Sequence, residues 1–270
     1  QNARRYEAMT KTAKHLRAMV DTYEAIQKER ISAENRLRAM FQGVDETDPL
    51  RQSFFEKLTQ LQNLEKAIAR DIDKLLKREP VYTEFLHHVK GIGALLSARL
   101  IALELDPHKN ISSWWAYFGL TPNYYLVECE NGDKFMSPKV PAQCKYCQAK
   151  IKNAEFVNEA PRRKKGYKSF WNPHARKLVY LISTSFIKLG KYYREVYKTK
   201  KEAILKSDPN IQPIRADARA RRYTVKLFLS HYYQATCELN GIPYTLPYSI
   251  EILKHDSLIH WKEVVAREKA

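Results

Sequence analysis

The stretch that decides the fold is FLHHVKGIGALLSARLI, residues 85–101, in which two apolar helical patterns flank Gly91-Ile92-Gly93. One helix is expected to end near His88, and the next begins directly after the turn. Two glycines at alternate positions permit a tight turn and a close backbone approach. Backbone N–H groups at such a turn point outward and suit a phosphate oxygen. The pattern predicts a helix-hairpin-helix element, and a plain turn between two helices is the alternative.

The sequence before this element predicts a long helical hairpin. Over residues 1–42, apolar residues recur at alternating spacings of three and four, which is typical of a coiled-coil seam: Tyr6, Met9, Ala13, Leu16, Val20 and Tyr23. Gly43 breaks this helix, and Asp48-Pro49 is a good start for a second helix that ends before Pro80. Residues 1–80 are therefore expected to form a coiled-coil helical hairpin. Because such a hairpin has little core of its own, it is expected to assemble the chain into a homodimer or a higher oligomer, and packing on the domain that follows is the alternative.

After residue 80 the long periodic runs give way to shorter elements. Residues 81–270 are expected to form a second, helical domain, with helices over 173–206 and 215–240 and a short one over about 258–267. Asn131-Gly132, between candidate short strands over 124–128 and 134–136, is a strong β-hairpin signal. The predicted fold class is mainly α, with a helical hairpin, a helix-hairpin-helix domain and a small β insert at 126–160.

The charge of the chain favours a polyanionic partner. Its 270 residues include 47 Lys and Arg against 30 Asp and Glu, a formal net charge of +17. Each phosphate that a cation neutralises releases condensed counterions, which drives binding. A basic protein that is merely soluble, or that binds ribosomes or membrane surfaces, is the alternative. No apolar stretch approaches the ~20 residues of a membrane span, and no signal peptide is visible, so a cytoplasmic location without a membrane partner is expected.

Two basic clusters are candidates for a nucleic-acid surface. Residues 162–177 contain seven cations and no acidic residue, and Tyr167, Phe170 and Trp171 lie among them. Cations beside aromatic rings suit nucleic acids. In the second cluster Arg215, Arg219, Arg222 and Lys226 share one helical face, for which a solvated face is the usual explanation. The residues expected to contact double-stranded DNA, with RNA as a second candidate partner, are Lys90, Gly91, Ile92, Gly93, Arg99, Arg162, Arg163, Lys164, Lys165, Lys168, Arg176, Lys177, Arg219 and Arg222.

The cysteines predict a metal site. Cys144-Lys145-Tyr146-Cys147 resembles one knuckle of a zinc ribbon, in which a tight turn presents two thiolates to one ion. Cys129, just before the predicted β-turn, is a reasonable third ligand. The candidates for the fourth ligand are His174, Asp133 and Cys237, of which Cys237 fits a buried core position better. A structural zinc ion is expected, without an organic cofactor, and a reduced, metal-free loop is the alternative.

The order of several motifs resembles a known family. It comprises Val89-Lys90-Gly91-Ile92-Gly93, the run 98–104, Trp114-Trp115-Ala116-Tyr117-Phe118-Gly119-Leu120-Thr121-Pro122 and Arg176-Lys177-Leu178-Val179-Tyr180. Residues 50–240, preceded by a coiled coil, resemble the C-terminal part of the insertion-sequence transposases that join a RuvC-like DEDD domain to a coiled coil and a serine-containing transposase domain. Some of these are bridge-RNA-guided recombinases. The resemblance implies DNA strand exchange in a prokaryotic, nucleoid-associated protein, and a nucleophilic serine within the basic cluster of residues 162–177.

Two departures bear on that serine. The sequence shows no RuvC-like acidic cluster, and Lys168-Ser169-Phe170-Trp171-Asn172 stands where the family has a Ser-Lys-Arg-Gly-Asn-like segment. Ser169 is the candidate nucleophile and His174 its candidate proton carrier, because a free serine hydroxyl needs activation. Ser169 as a helix cap or phosphate ligand is the alternative. The competing functions are a transposase-type recombinase, a non-enzymatic architectural DNA-binding protein, and an accessory subunit of a repair enzyme or nuclease.

Overall fold

The computed structural model describes the backbone of residues 2–244 and 259–270 and the side chains of residues 11–244 and 259–270. It is mainly helical with one small sheet, as predicted. By its contacts the chain divides into two compact units, residues 1–87 with 93–104 and residues 88–92 with 105–270. None of its described helices is long and apolar enough to cross a membrane.

The first unit contains the predicted helical hairpin. Its helices are α1 (Asn2–Met40), α2 (Pro49–Leu76), α3 (Pro80–Glu84) and α4 (Ala94–Ile101). A short 3-10 helix (Leu86–His88) precedes α4, and all of it except His88 belongs to this unit. The apolar seam of α1 is confirmed from residue 13 to residue 23, where its side chains are buried. The side chains of Tyr6 and Met9 lie outside the described residues. Asp48 caps α2 as predicted, because its side chain accepts a hydrogen bond of 2.8 Å from the Arg51 N–H.

A polar cluster interrupts the seam between α1 and α2. Glu65 is 7% exposed, whereas its neighbour Leu64 is 48% exposed, so the glutamate takes the inward position. Its carboxylate accepts hydrogen bonds from Arg30 Nε at 2.6 Å and from Gln27 Nε2 at 2.7 Å. Burial raises the pKa of Glu65, but these hydrogen bonds outweigh it and the pKa is lowered. Self-association through this hairpin stays a prediction.

The second unit packs helices around a small sheet. Its elements are α5 (Ile111–Tyr117), β1 (Tyr124–Cys129), β2 (Lys134–Ser137), β3 (Ile151–Val157), α6 (Pro173–Leu189), α7 (Tyr192–Ser207), α8 (Pro213–Leu239) and α9 (Trp261–Lys269). The strand order is β2-β1-β3, and both pairs are antiparallel. The predicted hairpin β1–β2 is therefore confirmed.

The second unit differs from the sequence predictions at β3 and between α6 and α7. The sequence does not predict β3 as a strand, because apolar and polar residues do not alternate strictly along it. The single helix expected over 173–206 is wrong, since Gly190 separates α6 from α7. The last helix begins at Trp261, and residues 245–258, where its expected start falls, lie outside the described residues.

An aromatic cluster fixes α6, α7 and α8 to one another. Phe186 of α6 stacks on Tyr193 of α7 with ring centres 4.6 Å apart, and Phe228 of α8 meets both rings edge-on. All three side chains are fully buried. Pairs of this kind add to the stabilisation from burial. The cations that these helices carry are thereby held on a rigid support.

Candidate nucleic-acid interface and metal centre

The glycine turn of the predicted helix-hairpin-helix packs against the protein itself. Gly91 has a φ of +93°, and a Cβ there would lie 3.2 Å from the Ser185 carbonyl oxygen and 3.3 Å from the Phe186 ring. The Ser185 hydroxyl also donates a hydrogen bond of 2.6 Å to the Gly91 carbonyl. Gly93 is the N-cap residue of α4 and has open space around its Cα. The backbone at Gly91 therefore closely approaches helix α6 of the same chain.

Several predicted phosphate contacts at this turn have partners within the chain. The Lys90 N–H donates to the Glu268 carboxylate at 3.4 Å, and the Ile92 N–H donates to the Val89 carbonyl at 3.0 Å. Arg99 forms an ion pair with Glu24 at 2.7 Å, without the alignment of a hydrogen bond. A phosphate contact at this turn stays a prediction.

A basic groove in the second unit brings together cations from both predicted basic clusters. The groove is a cleft of about 1230 Å³ lined by residues of α6, α7, α8, β3 and the segment that follows β3. The carboxylates on its wall are Glu155 and Glu159. The cations that line it are Arg162, Arg176, Lys200, Arg215, Arg219, Arg222 and Lys226. Cations that are about fifty residues apart in sequence thus line one cleft.

Three of these cations are partly buried beside other cations. Burial lowers the pKa of Lys226 to about 8, and the neighbouring Arg222 lowers it further. Burial, and after it the charge of a neighbouring arginine, also lowers the pKa of Arg176 and of Arg222. No described carboxylate forms an ion pair with any of the three. Their positive charges are therefore partly desolvated without a compensating anion.

Aromatic rings and one glycine hold these cations in position. Arg176 lies 5.0 Å from the centre of the Trp171 ring, and Lys200 lies 4.6 Å from that of Tyr223. Arg176 also donates a hydrogen bond of 3.1 Å to the Gly119 carbonyl. Gly119 has a φ of +67°, and a Cβ there would lie 2.7 Å from Arg176 Nη1. The glycine of the Gly119-Leu120-Thr121-Pro122 motif is thus needed for the position of Arg176.

The remaining predicted DNA contacts differ in their surroundings. Arg163, Lys165 and Lys177 are exposed, and exposed Lys164 lies over the ring of Tyr167. Arg162 forms an ion pair with Glu159 at the edge of the groove. Lys168 bonds with Asp133 at 3.2 Å and lies 3.9 Å from the centre of the Tyr146 ring. Lys200 is a further groove cation that the two predicted basic clusters do not include, and it lies in the basic run Lys198-Thr199-Lys200-Lys201 of α7.

The candidate nucleophile lacks an activating partner among the described residues. Ser169 is half-buried, no described residue hydrogen-bonds its hydroxyl, and His174 is exposed at the start of α6. Asn172, not Ser169, caps α6, since its side chain accepts from the His174 and Ala175 N–H groups at 2.9 and 3.1 Å. Asn172 Nδ2 also donates to the Tyr117 hydroxyl at 2.8 Å. The helix-cap alternative for Ser169 is wrong, and its catalytic role stays a prediction.

A candidate metal centre lies at one end of the sheet. The Sγ atoms of Cys129, Cys144 and Cys147 and a carboxylate oxygen of Asp133 all lie within 4.8 Å of one another. The Cys129 and Cys147 sulfurs are 3.6 Å apart, and Asp133 Oδ2 lies 4.0 Å from Cys129 Sγ and 3.8 Å from Cys144 Sγ. Around a tetrahedral ion with metal–sulfur bonds of about 2.3 Å, neighbouring sulfurs are about 3.8 Å apart. The four residues can therefore hold one metal ion.

Two turns build this centre. Cys129 ends β1, and the N–H of Asp133, just before β2, donates to Cys129 Sγ at 3.3 Å. The second turn is closed by the Cys144 N–H, which donates to the Ala149 carbonyl at 2.8 Å. The three predicted cysteine ligands come together, and Asp133 is the fourth member of the group. Of the other two candidates, Cys237 is buried in α8 and His174 is exposed on α6.

Neighbouring groups shift the pKa values of Asp133, Cys144 and Cys147 at the metal centre. Hydrogen bonds from the Cys147 thiol and from Lys168 lower the pKa of Asp133. Burial raises the pKa of Cys144, but the N–H groups of Tyr146 and Cys147 outweigh it and lower that pKa overall. The Ala149 N–H favours the Cys147 thiolate, yet burial and the neighbouring acids raise its pKa to about 11. A negative charge on one of these groups therefore disfavours the ionisation of its neighbours.

No family model and no curated protein sequence matches the chain. The resemblance to the transposases, which rests on the motifs quoted above, stays a prediction.

Proposed function

We propose that the basic groove binds the phosphate backbone of double-stranded DNA. The observation that carries the proposal is the trio Arg176, Arg222 and Lys226, which is partly buried and has no described acidic partner. Desolvated cations beside one another are unfavourable in the free protein. A phosphate in the groove supplies the missing negative charge and releases counterions. Contacts of this kind fix the position of DNA without reading its sequence.

The role of this binding is DNA recombination or transposition, as the quoted motifs imply. A non-enzymatic, architectural DNA-binding protein is the second candidate. It is favoured by the absence of a described hydrogen bond to the Ser169 hydroxyl, because an unactivated serine is a weak nucleophile. Incubation with duplex DNA distinguishes the two. A covalent adduct or strand transfer that Ser169→Ala abolishes supports recombination, and binding without chemistry supports the architectural protein.

Titration of a fluorescent duplex by anisotropy tests the proposal. The double variant Arg222→Gln with Lys226→Met should weaken binding at least tenfold and reduce the log–log salt slope by about 0.9 per lost phosphate contact. Lys198→Met, an exposed cation on α7 outside the groove lining, is the matched control and should bind as the wild type does. Removal of desolvated like charges should leave the thermal midpoint equal or higher. Equal duplex affinity of a folded double variant and the wild type would overturn the proposal.

We further infer that the metal is zinc in a structural role. Three thiolates and one carboxylate suit zinc, and four protein ligands leave no open position for a substrate. Elemental analysis of protein purified without chelators should give one zinc per chain. Cys144→Ser should lower this value and Asp133→Cys should preserve it, because a fourth thiolate completes a common zinc site. A metal-free wild type that also binds no added zinc would overturn the inference.

A further inference from the structure

Lys168 joins the basic segment, residues 162–168, to the metal centre. Its backbone pairs with β2, because the Lys168 N–H donates to the Lys134 carbonyl at 3.0 Å and the Met136 N–H donates to the Lys168 carbonyl at 2.8 Å. Its ammonium group contacts Asp133 Oδ1 at 3.2 Å and lies over the Tyr146 ring. Four contacts therefore hold this end of the segment.

The side-chain contacts of Lys168 both belong to the metal-binding turns. Asp133 faces the cysteines with Oδ2 and Lys168 with Oδ1, so one carboxylate serves the metal centre and the lysine together. Tyr146 lies between Cys144 and Cys147 in the second turn. An ion that fixes these turns also fixes the surface on which Lys168 rests.

The other end of the basic segment reaches the basic groove. Arg162 lines the groove, and Pro161 before it is buried. Between the ends, the Tyr167 N–H donates to the Lys164 carbonyl at 3.1 Å, and Tyr167 packs on the sheet face formed by Tyr124, Leu126 and Met136. The segment thus runs from the groove to the metal centre.

Metal ligands form part of a small buried cluster on one face of the sheet. This cluster consists of Val127, Cys129, Phe135 and Cys144, so two of its four members are metal ligands. A small unit of this type takes much of its folding free energy from the ion. Metal loss is therefore expected to loosen the turns that hold Lys168.

We propose that the metal centre controls the basic segment. Bound metal fixes Lys168 and keeps residues 162–168 ordered beside the basic groove, and metal loss frees the segment. A freed segment must be ordered again when a polyanion binds, which weakens binding through lost conformational entropy. The effect on DNA affinity rests on the proposed function of the groove, whereas the effect on the segment does not.

Limited trypsin digestion of the full chain tests the coupling. The segment carries four consecutive cleavage sites, Arg162, Arg163, Lys164 and Lys165. Cleavage there should become at least fivefold faster after chelation and return to the original rate when zinc is restored. Lys168→Met should keep one zinc per chain yet be cleaved fast, and chelation should add little to its rate, because both changes release the same anchor. Lys139→Met, an exposed cation after β2, is the control and should behave as the wild type does.

Anisotropy with duplex DNA on the same samples gives the second measurement. Chelation and Lys168→Met should each weaken binding about tenfold, and their combination should weaken it no further. An additive loss would mean that Lys168 contacts phosphate directly, and it would overturn the coupling. Equal cleavage rates with and without metal would also overturn the coupling, as would the loss of zinc from Lys168→Met. If cleavage responds to metal but no form binds DNA, the proposed function fails and the coupling stands.

Discussion

Trp115 and Lys226 are joined by two contacts at the basic groove. The Lys226 ammonium lies 4.0 Å from the centre of the Trp115 ring, and the indole N–H donates a hydrogen bond of 3.3 Å to the Lys226 carbonyl. The pair links α5 to α8 and sets the lysine in one position. The lysine is therefore a pre-positioned and partly dehydrated cation, which reduces the ordering that a ligand must impose.

DNA affinity should fall as the pH rises through the pKa of Lys226. In the free protein this pKa is lowered to about 8, mainly by burial, so the lysine is charged at pH 7 and largely neutral at pH 9.5. A bound phosphate favours the charged form and raises the pKa, so binding takes up a proton in this range. Affinity should fall by up to about 30-fold between pH 7 and pH 9.5 in anisotropy titrations. Lys226→Met should bind more weakly at pH 7 and show little of this decline; a full decline in the variant would contradict the prediction.

The same substitution at the two glycines of the turn should have unequal effects on stability. Gly91→Ser places a Cβ at positive φ and against the backbone of Ser185, which should lower the free energy of unfolding by about 2 kcal/mol or more. Gly93→Ser faces open space at the N-cap of α4, where serine is a favoured residue, and should be neutral or slightly stabilising. Urea denaturation of both variants measures the difference. Equal losses would show that the turn does not depend on contact with α6.

Features that depend on residues close together in sequence can be predicted from the sequence, whereas features that depend on residues far apart in sequence cannot. The seam of α1 and the cap at Asp48 are local patterns, so the sequence predicts them. The groove requires α6 and α8 to converge through Phe186 and Phe228, which lie far apart in sequence, and no local pattern reports it. Asp133 stayed one of three candidate ligands because only the β1–β2 register places it beside the cysteines.

The two carboxylates that bond to Arg30 should contribute unequally to the stability of the hairpin. The Glu65 side chain is 9% exposed and lies 2.6 Å from the Arg30 guanidinium. The Glu34 side chain is 21% exposed and lies 3.0 Å from it. Glu65→Ala leaves Arg30 and Gln27 without this acceptor and should lower the free energy of unfolding by about 3 kcal/mol. Glu34→Ala removes a more solvated partner and should lower it by less than about 1 kcal/mol. Chemical denaturation tests both values, and a larger loss for Glu34→Ala would contradict the burial argument.

Acid should destabilise the second unit through His231. This side chain is fully buried on α8, its Nδ1 lies 2.7 Å from the Tyr193 hydroxyl, and burial lowers its pKa to about 3. The unfolded chain titrates near 6.5, so between pH 6.5 and pH 3 it binds a proton that the folded protein excludes. The stabilisation is thus present above pH 6.5 and is lost as the pH falls, by up to roughly 4 kcal/mol.

The matched variant for this prediction is His231→Gln, which keeps a polar group near Tyr193 and does not titrate. It should be less stable than the wild type at pH 7, because the glutamine amide does not reproduce the packing of the ring. Its free energy of unfolding should then fall less steeply between pH 7 and pH 4, since the remaining acidic groups titrate in both proteins alike. Urea denaturation at pH 7, 5.5 and 4 gives the comparison. Parallel pH profiles for the two proteins would show that His231 takes up its proton in the folded state as readily as in the unfolded chain.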